Sequence, residues 1–264
     1  MEDYLILNVD EKLLIEESEK LTPFPDCFIL NELEEFFCNN NQEIVEKLLR
    51  IKERIFSLQV NNKELCTCII YGNIWYKKEV ENFSLENFNV NQQFYKEHAS
   101  YFSNHAIDLA FSLGDKVAQL VNIASNLDLK DENISLHKIL NSTNPILKAY
   151  ETDLKKLKEM RDEIKDARHM KIHNYESDLQ KTSIDINAGK INDRPAQIAI
   201  YGLDRIPTTP DQHFKKCSEF HSVFIEVVNH ILRVICNSLK DGFEDKIHEI
   251  GVMKTAIGIK SKLI

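Results

Sequence analysis

The sequence has few of the residues that interrupt helices. Its 264 residues include only 7 Gly and 6 Pro. So few helix breakers exclude a turn-rich all-β fold and favour long helices. The hydrophobic fraction of 43% is large enough to supply a substantial core, so a disordered chain is not the default expectation.

Long hydrophobic runs are also missing. No apolar run approaches the roughly 18 residues that a membrane-spanning helix needs, and the first residues, 1–4, lack the basic start of a signal peptide. The six cysteines are scattered along a chain long enough to fold without disulfides, which fits a reducing compartment. We therefore expect a cytoplasmic protein that does not contact a membrane.

An excess of positive charge is absent as well. The formal net charge of −9 argues against a protein that coats duplex nucleic acid through a broadly basic surface. The charge is uneven, however. Basic residues slightly outnumber acidic ones between Lys148 and Lys171, whereas the acidic excess is concentrated between Glu11 and Glu46. A local phosphate-binding site is therefore still compatible with the composition.

The common cysteine motifs of metal and redox sites do not occur. The only close pair, Cys66 and Cys68, has one residue between its members, whereas zinc knuckles and thioredoxin-type sites have two. No second Cys/His pair follows at zinc-finger spacing. We expect these two residues to be buried thiols in an apolar stretch, without a metal or redox role.

Periodic apolar positions predict an all-α helical bundle. Helices are predicted over Glu11–Lys20, Asp26–Cys38, Asn41–Leu58, Asn91–Leu127, Pro145–His173 and Asp211–Leu239. The last three carry the widest apolar stripes and should form the central bundle, with the first two of them antiparallel. Between Cys66 and Trp75 periodicity does not separate a short strand from a buried helix.

The predicted organisation has three parts. Residues 1–90 form a mainly helical N-terminal extension, residues 91–240 form the bundle, and residues 241–264 form a C-terminal tail or helix. The segment 177–211 lacks a helical period and is rich in turn residues, which predicts an inserted loop or small hairpin. A segment of this kind inside a compact domain is often functional.

The stretch most informative about function lies at the end of the helix that begins near Pro145. Arg168 is followed directly by the polar His169, and His173 follows after four intervening residues. An arginine is a permanent cation that suits a phosphate, and a histidine can carry protons near neutral pH. Together they supply the minimum groups for cleavage of a phosphodiester without a metal.

With this motif at the end of a long helix, the chain resembles the HEPN superfamily over about residues 91–239. HEPN domains are all-α and carry an R-x4-6-H motif, usually with a polar residue after the arginine. The resemblance implies a homodimer with two motifs facing one cleft, acting as a metal-independent endoribonuclease in a toxin or defence system. It implies that His173 is the general acid/base, that Arg168 binds the phosphate and that His169 assists. The implied partners are RNA, a second copy of the chain and a neutralising protein, with no cofactor or metal.

Three alternatives remain open at the level of sequence. The first is that the motif is only a solvated helix end, because basic residues are favoured near helix C-termini. The second is a zinc site of Asp166, His169 and His173, although the HExxH pattern is absent because Met170 follows His169. The third is a non-catalytic helical binding or scaffold protein. The negative net charge and the lack of a recognisable aromatic-basic stacking platform favour this last alternative.

The remaining histidines form no comparable constellation in the sequence. We expect them to be surface or core residues. His221 and His230 are kept as further candidates, because the helix that carries them should pack near the motif.

Overall fold

A computed structural model of the chain describes residues 9–38, 42–81, 90–127, 129–130, 134–173, 181–191, 194–203 and 210–240. The side chains of 28–29, 36, 90–93, 166–173, 239–240 and of the two strands are outside this description. In chain order the elements are α1 (Glu11–Ser18), α2 (Phe28–Phe37), α3 (Gln42–Glu81), α4 (Val90–Ala124), α5 (Leu136–Leu140), a 3-10 helix (Pro145–Ala149), α6 (Glu151–His173), β1 (Lys181–Ile191), β2 (Arg194–Leu203) and α7 (Pro210–Lys240). The fold is all-α, with a β-hairpin inserted between α6 and α7.

Four long helices form a bundle in which α3 and α6 run antiparallel to α4 and α7. Between α3 and α4, for example, Lys47 Nζ donates to the carbonyl oxygen of Ala124 at one end, and Trp75 stacks on Tyr95 at the other. Two contacts at different levels show the same antiparallel arrangement for each of three other helix pairs. Between α3 and α7, Cys66 contacts His221 and Gly72 contacts Phe214. Ser125 with Tyr150 and Asp115 with Arg161 join α4 to α6, and Asp153 with His230 and Glu163 with Lys216 join α6 to α7. The predicted antiparallel pairing of α4 with α6 is therefore confirmed.

The core is continuous through these four helices. The helix α7 contributes a long buried face, because its apolar positions recur at three- and four-residue steps and nearly all of them are buried. Phe214, Phe220 and Phe224 are fully buried. The helix α3 contributes a full buried stripe of its own, so the bundle contains a fourth long helix besides the three predicted from the sequence.

The helix predictions are confirmed for α4 and α7 to within a few residues at each end. The open question over Cys66–Trp75 is also answered, since this stretch is in the C-terminal half of the 40-residue α3. The predicted continuous helix from Pro145 is wrong in its first turn. Residues 145–149 form a separate 3-10 helix, in which Leu147 and the following Tyr150 are buried three residues apart, and α6 begins at Glu151.

The insertion after α6 contains an antiparallel hairpin, as the turn-rich sequence predicted. Lys181 pairs with Leu203 at the open end and Ile191 pairs with Arg194 next to the turn. The register shifts between Asn187 and Lys190, which is a β-bulge. The hairpin, residues 181–203, lies within the segment 177–211 where the sequence predicted an inserted loop or small hairpin.

Two short helices pack on α3 ahead of the bundle. The buried carboxylate of Glu17 in α1 accepts hydrogen bonds from Lys20 and Lys77, both at 2.6 Å, which joins α1 to α3. Within the part of the chain that the structure describes, none of the helices is both long and apolar enough to cross a bilayer.

Candidate functional site

The motif predicted from the sequence lies on the last two turns of α6. The backbone is helical without interruption from Glu151 to His173, so Arg168, His169 and His173 share one continuous segment of helix. The side chains of these three residues are outside the described part of the structure. The structure therefore gives their positions along and around the helix axis.

The positions of Arg168 and His173 lie on different sides of α6. Leu157, Arg161 and Ile164 define the buried side of the helix. Arg168 comes seven residues after Arg161, which is two turns, so its position continues this side. His173 comes five residues after Arg168, which rotates its position about 140° around the axis. The uninterrupted helix keeps the two positions apart.

The two histidines of the motif share the other side of the helix. His169 comes seven residues after Asp162, which is exposed, and His173 follows four residues later. The expectation that the two histidines share a face is consistent with the continuous backbone. One chain thus places the Arg168 position on the side of α6 that is buried at Arg161, and the two histidine positions on the side that is exposed at Asp162.

Antiparallel packing determines which residues lie level with the motif. Lys216 in α7 donates to the carbonyl oxygen of Glu163, and Arg161 pairs with Asp115 in α4. Continuing both registers toward the end of α6 brings residues 166–173 level with residues 103–110 of α4, and residues 166–169 level with the first turn of α7. This end of the bundle, formed by residues 101–110, 166–173 and 210–213, is the candidate site.

A buried hydroxyl paired with a half-buried imidazole lies in the candidate site. Ser103 is 2% exposed, and its Oγ lies 2.7 Å from Nδ1 of His213 at the start of α7. Burial, followed by the nearby charge of Lys216, lowers the pKa of His213 below its ordinary value. His213 is therefore neutral at physiological pH and serves as a hydrogen-bonding group. No sequence pattern pointed to this pair, because its members are 110 residues apart.

The N-terminal turn of α7 is also tied to α3 at this level. Burial, together with the charge of Asp211 and a hydrogen bond to it, raises the pKa of Tyr76. Tyr76 is thus a neutral hydrogen-bond donor to the carboxylate. This bond and the Ser103–His213 pair fix the start of α7 relative to α3 and α4.

Exposed aromatic rings lie on α4 within the candidate site. The side chain of Tyr101 is 64% exposed and stacks on His105, with ring centroids 6.2 Å apart and an angle of 20° between the planes. Tyr101 also contacts Phe102 edge-on. Residues four apart on one helix thus form a small exposed stack, which the sequence pattern did not reveal.

Two turns before Arg168, a second arginine has a structural role. Arg161 is 7% exposed, donates to Asp115 Oδ1 at 2.7 Å and lies over the ring of Phe111, 4.5 Å from its centroid. The same Asp115 oxygen accepts the backbone N–H of Leu136, the first residue of α5. The buried guanidinium thus fixes α6 and α5 against α4, one heptad before the motif arginine.

The two histidines kept as further candidates occupy structural positions. His221 is fully buried, its Nε2 lies 3.4 Å from Cys66 Sγ, and burial lowers its pKa to about 4. It is therefore a neutral core residue. His230 forms an ion pair or hydrogen bond with Asp153 on the neighbouring helix α6, far from the motif.

The cysteines have no features of a reactive or metal-binding site. All six are free thiols, and burial raises the pKa of Cys66 and of Cys68 to about 11. Among the described side chains no group of three His, Cys, Asp or Glu residues could hold a metal ion. The alternative zinc set of Asp166, His169 and His173 lies outside those side chains.

Comparison with known proteins gives the family. The model of the HEPN_Cthe2314-like HEPN family matches residues 51–244, which is more than half of the chain. The chain therefore belongs to the HEPN superfamily. The match begins inside α3, so it extends further toward the N-terminus than the region 91–239 on which the sequence resemblance was based. No curated protein and no solved structure matches the chain significantly.

Proposed function

We propose that this protein is a metal-independent endoribonuclease of the HEPN type that acts as a toxin or defence component. The observation that carries the proposal is the R-x4-H motif at the end of an uninterrupted α6 in a chain that belongs to the HEPN superfamily. The neighbouring polar pair and the exposed aromatic stack at the same end of the bundle support it.

The chemistry follows from the residue types. Cleavage requires that a base remove the proton from the ribose 2′-OH and that an acid protonate the departing 5′-oxygen. His173 performs this proton transfer, since an imidazole exchanges protons near neutral pH. Arg168 binds the phosphate and stabilises the charge that builds up on it in the transition state. His169 orients the pair.

The geometry of α6 supports a site shared by two chains. A rotation of about 140° separates the Arg168 and His173 positions within one helix. A second copy related by a two-fold axis can present its own His173 to Arg168 of the first copy and receive the reciprocal contact. The proposed active form is therefore a homodimer in which each site takes Arg168 from one chain and His173 from the other.

The substrate that fits this surface is single-stranded RNA. An exposed aromatic ring can stack on a base of any sequence, but only if the base is unpaired. Tyr101, stacked on His105, offers such a ring in the candidate site. The net charge of −9 excludes extended tracking of the phosphate backbone and fits contact over a few nucleotides.

A non-catalytic binding protein is the second candidate, favoured by the separation of Arg168 and His173 within one chain and by the net negative charge. Incubation of the purified protein with single-stranded RNA in EDTA distinguishes the two. The ribonuclease produces fragments that end in 2′,3′-cyclic phosphate. The binding protein leaves the RNA intact over a range of sequences and conditions.

A further inference from the structure

A groove between α2 and α3 is a second surface of interest, remote from the motif. It has a volume of about 520 Å³ and is lined on its apolar side by Cys27, Leu30, Ile55 and Phe56. The motif end of the bundle is level with Gly72 of α3, and Phe56 lies sixteen residues before Gly72. At 1.5 Å per residue the groove is therefore about 24 Å along the bundle from the candidate site.

The exposed ring at the edge of this groove is unusual for a helix surface. The side chain of Phe56 is 67% exposed, and Leu49 and Val60 on the same side of α3 are 43% and 41% exposed. These three residues are spaced by seven and four, so they form one apolar stripe beside the groove. An apolar stripe next to a cavity is typical of a surface that binds another protein.

The rim of the groove is strongly acidic. Asp26 and Glu53 line the groove itself, and a connected hollow of about 400 Å³ that shares Asn31 and Lys52 adds Glu32, Glu34 and Glu35. The one basic residue of these linings, Lys52, is paired with Glu34. The oxygen Oε2 of Glu32 is buried and has no hydrogen-bond partner among the described residues.

These features select one kind of occupant. The acidic rim repels RNA and anionic lipid surfaces. It also disfavours a second copy in a two-fold contact, because the two rims would face each other. A small polycation would leave the apolar stripe exposed. The occupant that matches both the apolar stripe and the charge is a peptide segment that carries apolar and basic side chains together.

We propose that the α2–α3 groove binds a cationic amphipathic segment of a partner protein. An apolar side chain of the segment packs against Phe56, and Lys or Arg side chains pair with Glu53 and with the carboxylates of α2. Because the groove is remote from the motif, this proposal does not depend on the ribonuclease activity.

The test is selection of peptides against the full chain. A random peptide library displayed on phage is panned on the immobilised protein, and enriched peptides are synthesised with a fluorescent label for anisotropy titration. We expect enriched sequences that combine several Lys or Arg with Leu, Ile, Phe or Met. Their binding should weaken about 10-fold or more in Phe56→Ser and in Glu53→Gln, the effect of losing a central anchor or a charge pair.

Two exposed positions outside the groove provide matched controls. Val80→Ser and Glu219→Gln should bind the selected peptides as the wild type does. Failure to enrich any peptide, enrichment of acidic or neutral peptides, or equal binding to Phe56→Ser would each overturn the proposal. So would self-association that is lost only in Phe56→Ser, since that result would assign the stripe to a second copy. RNA cleavage measured on Phe56→Ser reports on the proposed function separately.

Discussion

Gly72 of α3 lies directly against the ring of Phe214 in α7. A Cβ atom placed on Gly72 would lie 2.1 Å from Phe214 Cζ and 2.3 Å from Cε1. Phe214 is fully buried near the start of α7, so its ring has little room to move. The absence of a side chain at position 72 therefore allows α7 to start close to α3, at the level where the motif of α6 ends.

Gly72→Ala should destabilise the protein despite the better helix propensity of alanine. The propensity gain is about 1 kcal/mol, whereas overpacking a core commonly costs about 1 to 3 kcal/mol or more. Since the added Cβ would lie far inside van der Waals range of the ring, we expect a net loss of about 2 kcal/mol in the free energy of unfolding, measured by urea denaturation. Phe214→Leu in the same chain should recover part of the loss.

Gly114→Ala is the matched control. A Cβ at this position would lie 3.1 Å from Cδ of Arg161, a contact that a shift of a few tenths of an ångström relieves. Its effect should be small, within about 1 kcal/mol of the wild type. Equal losses in the two variants would contradict the claim that the contact of Gly72 with Phe214 is the tighter one.

His221 should make stability depend on pH between about 6.5 and 4. Burial lowers its pKa from 6.5 to about 4 in the folded chain. Between these two pH values the imidazole is therefore protonated in the unfolded chain and neutral in the folded chain. The contribution of neutral His221 to the free energy of unfolding is therefore fully present above pH 6.5, and it is lost as the pH falls to about 4. The loss corresponds to about 3 kcal/mol.

The His221→Gln variant tests this assignment through urea denaturation at several pH values. Its stability should fall less steeply than that of the wild type between pH 6.5 and about 4. Parallel profiles of the wild type and His221→Gln would show that His221 does not titrate as a buried neutral residue.

The sequence predicted the elements whose apolar period is long. The bounds of α4 and α7 were predicted to within a few residues. An apolar stripe that continues at helical spacing for about 30 residues indicates a helix, because strands are much shorter. The helix α3 was predicted only to Leu58. Its second half combines β-branched and aromatic residues with extensive burial, and such a run fits a strand or a helix equally well.

Only those residues of the candidate site that lie close together in the sequence could be predicted. Arg168, His169 and His173 lie within six residues of one another, so their spacing is visible directly. The Ser103–His213 pair and the Gly72–Phe214 contact join residues that are distant in the chain, and neither has a local pattern. The exposure of Tyr101 depends on which side of α4 faces the bundle, which the packing of the other helices determines.

The proposed homodimer predicts self-association and complementation between inactive variants. Sedimentation should show a dimer at tens of micromolar, where an interface with a Kd near micromolar persists. If each site takes Arg168 and His173 from different chains, an equal mixture of Arg168→Ala and His173→Ala should regain about a quarter of wild-type cleavage per chain, since half of the dimers are mixed and each has one intact site. A strictly monomeric protein, or a mixture without recovery, would contradict the shared site.

The most direct test of the central claim is the rate of cleavage of a labelled single-stranded RNA in excess EDTA. We expect the wild type to cleave, and Arg168→Ala and His173→Ala each to be slower by roughly 10²-fold or more, the range for loss of a charge-stabilising donor or of an acid/base. His169→Ala should be affected less. The matched controls Arg233→Ala and His137→Ala, at exposed positions elsewhere, should retain the wild-type rate. Cleavage that requires an added divalent metal, or that is unchanged in both Arg168→Ala and His173→Ala, would contradict the account.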